Sequence, residues 1–151
     1  MRHSYATPGG PYVNDATRWL TRQGRDTARQ VGRVLANEKV SVDLVFTSPL
    51  VRAVQTAELV SELIDYVGVV EAMPGLAPGC EPELAADTIV AHNANALVVG
   101  HAPTIALLGA YLLGRPSFPP FRPGMVCAIE QGKPLFKIHP EALTVEPLLV
   151  A

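Results

Sequence analysis

The chain has 151 residues, enough for one domain with a sizeable core. Its formal charge of −2 supplies no basic surface for a nucleic-acid backbone, and its two cysteines, Cys80 and Cys127, lack CxxC spacing, which argues against a disulfide framework or a zinc site. The polar opening from Met1 to Gly10 and the short apolar run from Ile105 to Leu113 exclude a signal h-region and a membrane span, so a soluble, cytoplasmic, reduced protein is expected.

Taken in chain order, the Pro/Gly cluster Thr7-Pro8-Gly9-Gly10-Pro11 predicts a loop, and from about Asp26 the apolar positions Ala28, Val31, Gly32 and Leu35 recur at helical spacing. Val42 to Thr47 is a β-rich run. Ser48 then stands as an N-cap with Pro49 at the first helical position, and Ala53, Ala57, Val60 and Ile64 form the buried face of the helix that follows. A second loop runs from Pro74 to Pro82. Glu83 to His92 reads as helix, Ala96 to Val99 as a buried strand, and Pro103 to Leu113 as helix, before a third loop at Arg115 to Gly124. The tail changes period: Val126 to Glu130, a Gln131-Gly132-Lys133 turn, Leu135 to His139 and Leu143 to Val150 predict a hairpin and a last strand. Alternating β and α segments give an α/β fold over residues 1–151 as a single domain: a three-layer α/β/α sandwich with a mainly parallel central sheet and antiparallel edge strands.

Arg2-His3, Ser48-Pro49-Leu50-Val51-Arg52 and Gly100-His101-Ala102-Pro103 supply two histidines and two arginines from three separate segments. A guanidinium fork matches phosphate oxygens, and a neutral imidazole can attack phosphorus near pH 7, so the set points to covalent phosphoryl transfer. Arg52 falls in the first turn of a helix and His101 between a strand and a helix. Both therefore lie at strand C-termini, where open α/β sheets bind ligands and helix N-termini favour anions. No His/Asp/Glu cluster has metal-ligand spacing, so neither metal nor cofactor is expected.

These blocks carry a family resemblance. Arg2-His3-Ser4-Tyr5-Ala6, then Leu20-Thr21-Arg22-Gln23-Gly24 with Asp43 to Ala57, then Val98-Val99-Gly100-His101-Ala102-Pro103-Thr104, resemble in order the signature segments of the histidine phosphatase (phosphoglycerate mutase-like) superfamily, the last in the form found in small SixA-type phosphohistidine phosphatases. The resemblance implies that His3 is the nucleophile, that Arg2 and Arg52 clamp the phosphoryl oxygens, and that a protonated His101 stabilises the developing charge. Ser48 is either a phosphate donor or a helix cap, and Ala102 lies beside His101 at the substrate. Ser4, which stands where the family usually has Gly, and Thr7 are candidate lining residues. Many members have a carboxylate that protonates the leaving oxygen; Glu81 is the first candidate here and Glu83 the second, although either also suits a helix N-terminus. His92 and His139 match no motif and read as surface or structural residues. In the family a central strand of several apolar residues precedes the Arg-His pair, whereas only Met1 does here, so the first central strand is expected to be truncated at the N-terminus.

The interval from Arg52 to His101 leaves no room for the large inserted cap of acid phosphatases and mutases. The expected activity is metal-independent hydrolysis of phosphohistidine on a partner protein, a phosphotransfer domain being one such carrier. A small-molecule phosphomonoesterase and a non-catalytic phosphoprotein-binding module are the alternatives.

Overall fold

The computed structural model describes all residues, 1–151. Helix α1, Arg22–Asn37, begins four residues before the predicted start, because Thr21 caps it by accepting from Gly24 N at 3.0 Å. Its apolar stripe, Ala28, Val31 and Leu35, is buried. Gly24 is required by contact: a Cβ there would overlap the Tyr5 carbonyl. Strand β1, Leu44–Thr47, leads into helix α2, Val51–Leu63; Ala53, Ala57 and Val60 are buried as the spacing predicts, whereas Ile64 lies just past the helix end and is half-buried.

Strand β2, Val70–Ala72, has no counterpart in the sequence reading, since three largely exposed residues carry no hydrophobic period. Helix α3, Pro82–Ala91, strand β3, Ala96–Val99, and helix α4, Thr104–Leu113, fall where the pattern puts them to within a residue. The tail forms β4, Val126–Glu130, β5, Lys133–Ile138, and β6, Val145–Pro147.

The central parallel sheet has the order β2-β1-β3, with Val45 opposite Leu97 and Phe46 opposite Val98. Alternation along its strands divides the core. Val45, Leu97 and Val99 join Val31, Leu35, Ala57 and Val60 of α1 and α2 on one face. Phe46 joins Ala86, Ile89, Ile105 and Leu108 of α3 and α4 on the other. The architecture is thus the three-layer α/β/α sandwich.

The antiparallel strands pair among themselves, in the order β4-β5-β6, rather than extending β1–β3 directly. What joins the two ladders is Met1 to His3. The Met1 nitrogen donates to Val98 O at 2.8 Å, Gly100 N to Met1 O at 3.1 Å and His3 N to Gly100 O at 2.9 Å, while Arg2 N reaches Met125 O at 3.1 Å. The segment expected to be a truncated strand is therefore seated in the sheet beside β3, with the Met1 side chain buried in the core. No helix is long and apolar enough to cross a membrane.

Candidate active site

Three backbone turns at the C-terminal ends of adjacent strands gather the predicted residues. Met1 to His3 runs parallel to β3, β3 ends at Gly100-His101, and β1 ends at Thr47-Ser48. Ser48 N donates to Val99 O at 2.9 Å, and this holds the β1 and β3 exits in register. The two imidazoles meet with ring centroids 4.9 Å apart. Arg52, in the first turn of α2, is buried to 4% exposure despite its charge, and its Nε donates to His3 Nε2 at 3.3 Å. A buried charge is costly unless it is fully hydrogen-bonded, and such an arrangement is commoner at sites of chemistry than in ordinary cores.

The hydrogen bonds fix the tautomer of His3. Its Nδ1 lies 2.7 Å from the Ser4 carbonyl oxygen, which can only accept, so Nδ1 carries the proton and Nε2 presents a lone pair towards Arg52. Burial pulls the His3 pKa down to about 4; the Arg52, Arg2 and Arg18 charges lower it further, against the Ser4 hydrogen bond, which raises it. The ring is neutral at pH 7.

His101 departs from expectation in its charge. Burial first, then His3 and Arg52, pull its pKa down to about 3, so the ring is neutral at pH 7 rather than protonated. A second cation beside two guanidiniums has too little anionic charge nearby to hold it. Its Nε2 lies 2.7 Å from Ser48 Oγ, and its Nδ1 is buried with no partner.

Ser48 is not the N-cap of α2. That position belongs to Leu50, and the helix starts at Val51, two residues later than predicted. Ser48 Oγ still accepts from Leu50 N at 3.2 Å, so it bridges the helix entry to His101. Arg2 donates from Nη1 to Phe121 O at 2.8 Å, and its buried Nε has no partner. Ala102 is exposed next to His101. Ser4 N donates to Thr56 Oγ1 at 3.1 Å and its Oγ is buried without a partner; Thr7 is half-buried, and its carbonyl accepts from Arg18 Nε at 2.7 Å.

The acid candidates are not drawn in with the rest. Glu81 is the N-cap residue of α3, with no capping hydrogen bond from its side chain, and Glu83 lies in the first turn of that helix; both are exposed. Neither hydrogen-bonds to His3, His101, Arg2 or Arg52. His92 ends α3 with its ring on the Thr88 carbonyl, and His139 follows β5; neither belongs to the pocket. No group of three or more His, Cys, Asp or Glu side chains is gathered as a metal would require.

Two residues escaped the sequence reading. Asp15 opens a 3₁₀ turn, Asp15–Thr17, and its carboxylate bridges two arginines: Oδ1 accepts from Arg18 Nη1 at 2.8 Å and Oδ2 from Arg52 Nη2 at 2.9 Å. The Arg18 and Arg52 hydrogen bonds hold the Asp15 carboxyl below its ordinary range. The available signal was the Asp15-x-x-Arg18 spacing, which sets opposite charges on one side of a single turn but is common on solvated surfaces.

A buried pair of imidazoles flanked by guanidiniums at parallel-strand C-termini, on a phosphoglycerate mutase-like α/β/α fold, defines a class: the chain is similar in sequence and fold to the phosphatases of the histidine phosphatase superfamily. The family model for the histidine phosphatase superfamily (branch 1) matches residues 12–77, a stretch that includes Ser48 and Arg52. Among individual proteins, the chain is 29% identical over 133 residues to the phosphohistidine phosphatase SixA of Escherichia coli (strain K12), covering 85% of this chain and 81% of the relative. A structure of the protein histidine phosphatase SixA complexed with tungstate superposes with a TM-score of 0.86 at 27% identity, over 95% of this chain and 97% of that one. The alpha-ribazole phosphatase of Shigella flexneri shares the fold with a TM-score of 0.64 at 22% identity, over 98% of this chain and 93% of that one. The fold alone therefore does not select a substrate.

Proposed function

We propose that the protein hydrolyses phosphohistidine on a partner protein, through a phosphohistidine intermediate on its own His3. The observation that carries the reading is the neutral His3 ring, with Nδ1–H fixed on the Ser4 carbonyl and the Nε2 lone pair held on Arg52 Nε. Arriving phosphorus replaces the Arg52 Nε contact at that nitrogen, and Arg52 and Arg2 then hold the phosphoryl oxygens. A phosphoryl dianion adds negative charge beside His101 and so draws a proton onto it, and the protonated ring then stabilises the transition state. The His3 P–N bond forms as the substrate P–N bond breaks, the substrate imidazole leaving with a proton. Water then attacks the His3 phosphoryl group, releasing phosphate and restoring His3.

Substrate choice follows from the exposed acids. An alkoxide is a poor leaving group and needs a placed proton donor, typically worth roughly 10²–10⁴-fold. Imidazole leaves readily once protonated, a proton that solvent can supply, so a strong phosphoryl clamp without a buried acid suits phosphohistidine. The likeness to proteins that bear the phosphohistidine phosphatase name supports the same choice. Measuring kcat/KM on a phosphohistidine protein, phosphoserine and phosphoglycerate tests it. A preference for phosphohistidine of at least about tenfold is expected, equivalent to about 1.4 kcal/mol of transition-state discrimination. Faster hydrolysis of phosphoglycerate would assign the pocket to a small-molecule phosphomonoesterase.

A further inference from the structure

Arg52 is tethered at both edges of its guanidinium. Nε, on the side edge, points at His3 Nε2, whereas the two Nη groups at the end edge are both committed to Asp15: Nη1 donates to its backbone carbonyl at 2.7 Å and Nη2 to its carboxylate at 2.9 Å. A guanidinium has five N–H donors, so these three bonds leave two, one on each Nη. One of those two lies on the side edge next to Nε, towards His3. The end edge is spent on Asp15, and the side edge faces the nitrogen that phosphorus must reach.

The segment that carries Asp15 is itself anchored. Thr7 N donates to Trp19 O at 2.8 Å and Thr21 N to Tyr5 O at 3.0 Å, which closes the base of the loop between them. Arg18 ties Thr7 O to the Asp15 carboxylate, and Gln55, one turn along α2 from Arg52, accepts from Leu20 N at 2.8 Å. Asn14 stiffens the turn by accepting from Ala16 N. Helix α2 therefore grips this loop at two points, and one of them is the arginine of the pocket.

We propose that Asp15 is a positioning residue for phosphoryl transfer: it holds the end edge of Arg52 so that the side edge stays aimed at the phosphoryl group on His3. The proposal rests on the phosphoryl-transfer reading of the pocket. Two other accounts make opposite predictions. As an ordinary surface ion pair, Asp15 would contribute almost nothing, and the residue is 58% exposed on its side chain. As a bare negative charge beside an anion site it would weaken phosphate binding, so its removal would tighten that binding. Positioning has the reverse sign. An untethered guanidinium must be ordered when the ligand binds, and its contact is strongest where charge develops in the transition state.

The test compares Asp15→Ala, Asp15→Asn and wild type by calorimetric titration with inorganic phosphate and with vanadate, and by steady-state kinetics on an aryl phosphate. For Asp15→Ala we expect vanadate affinity and kcat each to fall by about tenfold, with a smaller change in KM and in phosphate affinity, as for an interaction that grows towards the transition state. Asp15→Asn keeps the side-chain carbonyl and the backbone acceptor and should recover most of the loss. Tighter phosphate or vanadate binding by Asp15→Ala would make Asp15 a competing anion, and unchanged kcat and vanadate affinity would make it a surface ion pair; either result overturns the proposal. A fall in both variants alike, or one confined to KM, would also overturn it. If wild type binds neither anion, the phosphoryl pocket itself is wrong and the proposal falls with it; if wild type binds both, failure of the Asp15 variants leaves that pocket standing.

Discussion

The two groups of candidate residues, a buried wall and an open one, are built differently. On the side of β1, β3 and α2, His3, Ser48, Arg52 and His101 are buried, linked by hydrogen bonds, and held by backbone contacts between adjacent strand ends. On the side of α3, Glu81 and Glu83 stand in solvent at a helix start, with no bond to any of the four. The first wall is fixed before a ligand arrives, as preorganised electrostatic stabilisation requires. The second offers nothing fixed to a leaving group. On the proposed function, a site of this kind would hold the phosphoryl group firmly and depend on the substrate to release its leaving group easily.

The largest expected effect lies at the centre of the buried wall. His3→Ala should lower kcat by at least about 10⁴-fold, as removal of a nucleophile typically does, while vanadate still binds through Arg2, Arg52 and His101. Turnover near the wild-type rate in a single-turnover assay would show that the ring is not the nucleophile. Arg52→Lys comes next. A lysine cannot span Asp15 and the phosphoryl group with one planar fork, and losing one or two charge-assisted hydrogen bonds should lower kcat/KM by about 10²-fold. A loss under about threefold would put the clamp elsewhere.

A pH profile probes the same wall through its charge. With His3 as the proposed nucleophile, the active form is the neutral one, and its pKa is pulled down to about 4, so kcat/KM should be lost only as pH falls towards that value, well below an ordinary histidine. The limb belongs to the coupled imidazole pair, since His101 is pulled down to about 3. Stability follows with the same sign. The unfolded chain protonates these rings near pH 6.5 and the folded chain does not, so their contribution is present above 6.5 and is lost as pH falls through 4 and 3. An acid limb at pH 6.5 or above, or a melting temperature flat between pH 6.5 and 4, would mean that the pocket is wetter than its burial implies.

The smallest effect is expected on the open wall. Glu81→Gln should change kcat/KM on a phosphohistidine protein by less than about threefold, because general-acid assistance matters little when the leaving group is an imidazole. A collapse of activity in this variant would erase the contrast between the walls and make Glu81 the proton donor.

Much of the fold was legible in the sequence because its signals are local. The helical recurrence of Ala28, Val31 and Leu35, the apolar run Ala96 to Val99, and the change of period after Gly124 each follow from which face of a short segment must leave water. The His3, Arg52 and His101 blocks were legible because each sits at a strand end, and strand ends in a parallel sheet converge. Ser48 illustrates the boundary. The residue types at 48 and 49 suit a helix start, yet bonding to His101, 53 positions away, gives the hydroxyl a second task, and the helix starts later.

What tertiary structure alone decided were pairings between residues remote in sequence and the electrostatics they create. The charge state of His101 depends on burial and on neighbours from three segments, so no local pattern carries it. Met1 to His3 carries too little period to announce a strand, and although the family resemblance implied the end of one there, its joining of the parallel ladder to Met125 rests on backbone bonds that any side chains could make. The bond between Asp15 and Arg52 spans 37 positions and forms because α2 grips the loop between Thr7 and Trp19. Sequence determined which chemical groups the chain possesses and which short segments fold; the convergence of the strand ends determined which groups touch, and so which of them are neutral, which are charged and which are held still.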